Sequence, residues 1–200
     1  MKMKIKLIIA VIIFLTLSGC SPVTVTQSNT FILKASSYNS PASRTASSIN
    51  LLVSEPTAPE WLNTTNMVYQ KDPSQLNYFS KNEWADTPAH LLQNSIVQGL
   101  QQSGQFHVVM SAPFVGNYDR RLDMRIFDFS QDFTQQPSQF HVKVLAIVVN
   151  GRTQQVVASK LISVDVPASM NSPAGGVQAA NKAASQLNTI LLKMVINTYK

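Results

Sequence analysis

The 200-residue sequence contains one cysteine, three histidines and seven glycines. A single cysteine excludes an internal disulfide bond. His90, His107 and His141 are far apart and lack the spacing of metal ligands, so we interpret each as structural. No glycine-rich phosphate loop and no Gly-x-Ser-x-Gly nucleophile motif is present. These absences favour a non-enzymatic protein that uses no metal and no soluble cofactor.

Charged residues are also few, at 13% of the chain. The formal net charge of +6 falls to +3 once the amino-terminal Lys2, Lys4 and Lys6 are set aside. Beyond Arg120-Arg121 there is no cluster of basic residues, which argues against nucleic acid as a partner. A polar, weakly charged surface fits contacts with protein or lipid better than electrostatic steering.

The amino terminus has the three parts of a secretory signal peptide. A basic start precedes an apolar run at 7–15, which is too short to span a bilayer, since spanning takes about 20 residues. The run closes on Leu17-Ser18-Gly19-Cys20, which resembles the bacterial lipobox. That resemblance implies cleavage between Gly19 and Cys20, followed by lipidation of Cys20. An uncleaved anchor helix, or an ordinary signal with a chance cysteine, is the alternative.

Lipidation would determine where the protein resides. One acyl chain gives marginal membrane binding, whereas two or more signals give stable anchoring. A diacylglycerol and a fatty acid on Cys20 would therefore hold the chain on a membrane. By resemblance to Gram-negative lipoproteins, Ser21 indicates the outer membrane, with the folded part facing the periplasm. We thus expect a signal peptide at 1–19, a lipidated tether at 20–29 and one domain at 30–200.

Turn signals divide the first half of that domain. Asp72-Pro73-Ser74 separates two apolar runs, 66–71 and 75–79, which predicts a β-hairpin. Thr87 and Pro88 suit the start of a helix, and Gly104 suits its left-handed cap. Apolar residues recur at helical spacing between them, at Ala89, Leu92, Ile96 and Leu100. Other elements expected are strands at 30–34, 48–54 and 106–110 and a helical turn at 60–62.

The second half predicts three antiparallel strands and a long helix. Leu122, Met124 and Ile126 alternate with polar residues, and 139–149 is rich in valine and isoleucine. Asn150-Gly151 then signals a two-residue turn into a third strand at 154–166. The inward face of that strand is expected at Val156, Ala158, Ile162 and Val164.

A Pro/Gly/Ser-rich segment at 167–176 predicts a loop, and a regular apolar repeat at 177–199 predicts the terminal helix. The fold class expected is therefore α+β, with one antiparallel sheet packed on one face by two helices.

Two groups of residues are candidates for function. Asp123, Asp128 and Asp132 could suggest a metal site, but Asp123 with Arg125 is more simply a solvated pair or an interface contact. Aromatic residues cluster in sequence near the hairpin and the first helix. Core packing explains them most simply, and the sharper hypothesis is a partner-binding surface, since Trp and Tyr are enriched in interface hot spots. The candidates for that surface are Trp61, Trp84 and Tyr78.

The order of these motifs resembles the ABC-type transport auxiliary lipoprotein family, which includes PqiC-like proteins. The resemblance spans about residues 30–198. It joins the lipobox to Leu76-Asn77-Tyr78, then to Trp84-Ala85-Asp86-Thr87-Pro88, a helix ending at 100–106, and the strand 122–129. An alanine-rich terminal helix completes the pattern.

The resemblance implies a periplasmic α/β domain that accompanies MCE-type systems, which move lipids between the two membranes. The implied partners are the outer membrane, an MCE-family periplasmic protein or inner-membrane permease complex, and further copies of the chain in a ring. Two alternatives stay open. One is a structural lipoprotein for assembly of an outer-membrane or secretion complex. The other is a lipid carrier, which would need an apolar pocket of about 300 Å³ or more.

Overall fold

The fold is built around one long strand, β6 (Arg120–Asp132), in a computed structural model that describes residues 27–34, 48–113 and 116–199. Along one edge, β6 pairs antiparallel with β7 (Gln139–Asn150), which pairs antiparallel with β8 (Val156–Pro167). This is the three-stranded meander that the sequence predicts. The signal peptide, the cleavage site and Cys20 lie outside the described residues.

The other edge of β6 is shared by two shorter strands. Its beginning pairs in parallel with β2 (Asn50–Val53), and its end pairs in parallel with β3 (Asn66–Asp72). Between them Thr57 forms a parallel bridge to Arg125. Because β6 has 13 residues, it is long enough to serve both partners.

Two branches extend the sheet from there. Beside β2 lies β5 (Val108–Ser111), parallel to it. Beside β3 lies β4 (Gln75–Trp84), antiparallel through the predicted Asp72 turn, and then the parallel edge strand β1 (Asn29–Phe31). The single domain and the α+β class are confirmed. The sheet is mixed rather than purely antiparallel, although most of its paired residues are antiparallel.

The first helix, α1 (Pro88–Gln102), begins and ends where the sequence predicts. The Thr87 side chain accepts a hydrogen bond from the backbone N–H of His90, and Pro88 occupies the first turn. Beyond the other end, Gly104 has a φ of 65°, the left-handed conformation that glycine adopts without strain. The helix packs beside β5, and the Gln93 side chain donates to the carbonyl of Val53 in β2.

The second helix, α2 (Pro173–Ile196), starts four residues before the predicted Val177. Ser172 caps it, accepting a hydrogen bond from the N–H of Gly175. The first turn lies so close to β6 that a Cβ on Gly176 would overlap the Gln131 side chain. The glycines that suggested a loop therefore permit close helix–sheet packing. The helix covers β7 and β8 and also contacts α1, so both helices pack on one face of the sheet.

Between that face and the helices lies one hydrophobic core. Leu122, Ile126, Val144, Ala146 and Leu187 are fully or almost fully buried within it. The predicted alternation along β6 is thus confirmed. Val156 is an exception to the predicted inward face of β8, because it is exposed beside a register shift at Val148–Val149.

The turn between β7 and β8 is longer than Asn150-Gly151 predicts. Five residues, 151–155, connect the strands, and the positive φ of 57° falls on Gln154 rather than on Gly151. The Asn150 side chain accepts hydrogen bonds from the N–H groups of Arg152 and Thr153, which stabilises the wider loop. A Cβ on Gly151 would overlap the backbone of Tyr118, so a close approach accounts for that glycine.

Neither helix in the described part of the chain combines the length and apolar character that a bilayer span requires.

Candidate interaction surface

The face of the β6–β7–β8 meander opposite the helices, called here the outer face, carries both apolar and charged side chains. Residues on neighbouring strands that pair directly project to the same side of a sheet. Arg125, Leu145 and Leu161 form one such row across the three strands, and Asp123, Ile147 and Ser159 form the next.

An apolar patch lies in the middle of the outer face. Leu161 is 55% exposed and Phe127 is 41% exposed, while Leu145 and Ile147 are half-buried beside them. Phe127 projects at a bulge in β6 between Ile126 and Asp128. The guanidinium carbon of Arg125 lies 5.4 Å from the centre of the Phe127 ring, a cation–π contact. We call Phe127, Leu145, Ile147 and Leu161 the outer patch.

Asp123 does not pair with Arg125, as the sequence suggested, but with Arg121. The Arg121 Nε lies 3.0 Å from each carboxylate oxygen of Asp123. The Ser54 hydroxyl donates to the same carboxylate at 2.5 Å. Because side chains alternate along a strand, Asp123 has one arginine on either side. Arg121 is the one that pairs with it, sharing its Nε–H between both carboxylate oxygens. Arg125 is left to contact Phe127.

At the far end of the outer face, His141 lies between two carboxylates. Its Nδ1 is 2.5 Å from Asp165 of β8, and its Nε2 is 3.3 Å from Asp132 of β6. Asp128 lies nearby and accepts a hydrogen bond from the Ser130 hydroxyl at 2.7 Å. The described residues contain no group of three His, Cys, Asp or Glu side chains arranged to hold a metal ion. The two contacts make His141 a charge-paired residue that ties β7 to both neighbours.

The electrostatics of this cluster differ from one group to the next. Burial alone lowers the pKa of His141, but the hydrogen bonds to Asp165 and Asp132 outweigh it, so the pKa is raised. Burial also opposes ionisation of Asp132, yet hydrogen bonds from Thr134 and His141 hold its pKa below the usual value. Burial of Asp128 dominates over its hydrogen bond from Ser130, and its pKa is raised.

The aromatic candidates from the sequence are divided by the structure. Trp84 ends β4 in the core, is 2% exposed and packs against Phe129 and Phe140. Trp61 lies in a 3-10 turn (Glu60–Leu62) and is half-buried. Tyr78 is 44% exposed, and its hydroxyl donates to the Trp61 carbonyl at 3.3 Å. Trp61 and Tyr78 are therefore neighbours at the surface, and Trp84 packs inside.

The other two histidines lie away from the outer patch. His90, on α1, contacts Asp86 and Glu55, each at 2.9 Å. The hydrogen bond that His90 donates to the Asp86 carboxylate is the main reason that the pKa of His90 is raised. His90 thus joins the loop after β2 to the start of α1, which agrees with the structural role predicted for it. His107 is exposed and directly precedes β5.

Cavities within the described part of the chain also lie outside the outer face. A polar one of about 580 Å³ is formed by the loops at the β7–β8 turn, including Tyr118, Arg120 and Arg152. A groove of about 370 Å³ lies between β8 and α2, and its lining includes the apolar Ile190 and Met194 and the cationic Lys160 and Lys193.

The sequence profile of the ABC-type transport auxiliary lipoprotein component matches residues 31–190, most of the chain. The chain belongs to that family. This auxiliary lipoprotein is thus a component associated with an ABC transport system, and the family description is that of a transport part rather than an enzyme. A lipoprotein of this kind is membrane-anchored, with its domain on the periplasmic side.

Solved structures agree with the fold of this auxiliary lipoprotein. Protein XCC0632 from Xanthomonas campestris is 22% identical, with a TM-score of 0.76 over 85% of this chain and 96% of that one. A second, uncharacterized protein is 15% identical, with a TM-score of 0.69 over 84% of this chain and 99% of that one. No curated protein sequence matches at a significant level.

Sequence reasoning missed the outer patch and the His141 cluster of this auxiliary lipoprotein. Both assemble residues from three strands, and the register between strands decides which side chains meet. One signal was available in the sequence. Phe127 breaks the alternation of buried and polar residues along β6, which is what a bulge does.

Proposed function

We propose that this protein is held on the periplasmic face of the outer membrane by lipid on Cys20 and that its domain docks the periplasmic conduit of an MCE-type transport system. The tether supplies location and the domain supplies recognition, with no chemistry performed and no cofactor beyond the attached lipid. Several copies of the chain would surround the end of the conduit as a ring. Family membership supports the transport role.

The outer patch is the observation that carries the docking role. It combines an aromatic ring, aliphatic side chains and a stacked arginine at the centre of a face that neither of the described helices covers. Arginine and aromatic residues are enriched at the centres of protein interfaces. The neighbouring carboxylates Asp123 and Asp165 are already paired with Arg121 and His141, so a partner could cover the patch without leaving these two carboxylates unpaired.

Photo-crosslinking from adjacent positions tests this docking. A crosslinking amino acid at Leu161 would project from the outer face, whereas one at Lys160 would project from the opposite face of the same exposed strand. In cells we expect Leu161 to capture the MCE protein, identified by mass spectrometry, several-fold more strongly than Lys160. Equal capture from both positions, or capture of secretion components instead, would contradict the proposal.

The anchor is tested separately with labelled palmitate. We expect incorporation into the wild-type protein and none into Cys20→Ala, which should be released from the outer-membrane fraction. Recovery of the wild-type protein in the cytosol would contradict the location proposed.

The lipid-carrier alternative has one observation in its favour, the groove between β8 and α2. Its volume of about 370 Å³ and the apolar Ile190 and Met194 in its lining could receive part of an acyl chain, and Lys160 and Lys193 could contact an anionic headgroup. Mass spectrometry of the purified monomer distinguishes the two functions. A stoichiometric bound lipid that is lost in Met194→Lys would favour the carrier.

A further inference from the structure

The direction in which the chain enters the domain limits how the domain can face a membrane. Strand β1 is parallel to β4, so it runs away from the tip of the β3–β4 hairpin. The chain that precedes Asn29 therefore comes from the side of the tip. Asn29 pairs with Asn82, seven residues along β4 from Gln75 at the tip, which is about 23 Å at roughly 3.3 Å per residue.

The reach of the tether can be compared with that distance. Nine residues lead from Cys20 to Asn29, and a fully extended chain spans at most about 3.3–3.6 Å per residue, or roughly 30 Å in all. A lipid on Cys20 can therefore lie at most about 7–9 Å beyond the hairpin tip. Strand β3 pairs with the last residues of β6, whereas the β7–β8 loop lies beside the first residues of β6. A tether that reached toward that loop would first have to reverse its direction.

The side of the domain nearest the tether carries exposed apolar and cationic side chains. Beside Gln75 at the tip, Leu76 is 39% exposed, and Tyr78, two residues further along β4, is 44% exposed. Lys71 and Lys81 are exposed on the same two strands. Tyrosine is enriched at membrane–water interfaces, and lysine can lay its aliphatic stem on apolar surface while its ammonium group contacts anionic lipid. We call Leu76, Tyr78, Lys71 and Lys81 the hairpin edge.

The acidic residues of the hairpin are already engaged within it. Asp72 accepts a hydrogen bond from the N–H of Ser74 and so fixes the turn. Glu83 accepts a hydrogen bond from the Thr30 hydroxyl and so joins β4 to β1. The two lysines remain as the exposed cations of the edge.

We propose that the hairpin edge rests on the lipid surface to which Cys20 is attached, so that the membrane sets the orientation of the domain as well as its location. The outer patch and the β7–β8 end then project toward the periplasm. This inference rests on the lipid anchor of the proposed function. In this orientation Tyr78 contacts lipid, whereas the sequence suggested that it contacts a partner protein.

Acylation of Cys20 makes a clean labelling experiment possible, because it leaves the mature chain with no other cysteine. Ser74→Cys at the hairpin tip and Thr153→Cys in the β7–β8 loop each add one thiol. The two sites are matched: both are exposed turn residues, and the N–H of each donates to a preceding Asp72 or Asn150 side chain. Each acylated full-length variant receives an environment-sensitive fluorophore and is reconstituted in vesicles of phosphatidylethanolamine and phosphatidylglycerol with brominated acyl chains.

We expect the label at Ser74 to be quenched several-fold more than the label at Thr153. Combining Ser74→Cys with Leu76→Ser and Tyr78→Ser should reduce its quenching to the Thr153 level, with an unchanged thermal transition showing that the domain still folds. Equal quenching at both sites in the parent variants, on vesicles that float with the protein, would overturn the inference. Failure of the protein to float at all would instead count against the lipid anchor.

Discussion

The two faces of the β6–β7–β8 meander have opposite relations to solvent. The inner face is mainly apolar under the helices, and residues such as Leu122 and Val144 are almost completely buried. The outer face has the same strands and the same registers, but it carries paired charges and a half-exposed apolar patch. The first face supplies stability, and the second is available for contacts. Mutations that separate these roles test the comparison.

The largest effect is expected in the core. Trp84→Ala should lower the free energy of unfolding by about 3–5 kcal/mol, because it removes a buried ring that packs against Phe129 and Phe140. Chemical denaturation measures the change. Trp61→Ala is the matched control and should cost distinctly less, since that side chain is half-buried at the surface. Similar losses in both variants would mean that Trp61 is also a core residue.

Neighbouring residues on β6 allow the sharpest test of the two faces. Ile126 is fully buried, and Phe127, the next residue, is exposed in the outer patch. Ile126→Ala should cost about 2–5 kcal/mol of unfolding free energy. Phe127→Ala should cost below about 1 kcal/mol, because surface substitutions rarely do more, yet it should weaken capture of the conduit. If Phe127→Ala destabilises the domain as much as Ile126→Ala, the outer patch is part of the fold and not a docking surface.

Local patterns predicted the elements, while pairings between distant segments could not be predicted. The hairpin turn at Asp72, the caps at Thr87 and Gly104 and the alternation along β6 each depend on residues close in sequence. The parallel pairings of β2 and β3 with β6 join segments more than 60 residues apart. No local periodicity encodes such a choice of partner.

The misplaced start of α2 has a similar cause. Gly175 and Gly176 suggest a loop by their local propensity. The structure needs Gly176 within the helix because Gln131 of a distant strand lies against it. Tertiary packing thus overrides propensity at that point. The His141 cluster also depends on strand register, because its carboxylates come from β6 and β8.

The outer face should also respond to pH. The pKa of His141 is raised in the folded state, so its contribution to stability is fully present below the unfolded value of about 6.5 and is lost as the pH rises through the folded value. Thermal melts of the wild type should therefore show a loss of stability above about pH 6.5 that is smaller in His141→Gln. His90→Gln is the control, since His90 titrates in the same direction but is more exposed. If only His90→Gln reduces the loss of stability above about pH 6.5, the pH dependence arises from His90 on α1 and not from His141.

The smallest effect is expected within the carboxylates around His141. The pKa of Asp128 is raised by burial, so its ionised form destabilises the folded state above that pKa, and Asp128→Asn removes the penalty while keeping an oxygen for Ser130. The pKa of Asp132 is lowered, so its carboxylate stabilises the fold above about pH 3.8 and that contribution is lost as the pH falls through the folded value.

At neutral pH, Asp128→Asn should be as stable as the wild type or slightly more so, and Asp132→Asn should be less stable. The difference between the two variants should shrink toward pH 3, and denaturation across this range measures it. If both variants lose the same stability at neutral pH, the two carboxylates stabilise the fold equally through His141. Burial of Asp128 would then not be a net cost to the folded state.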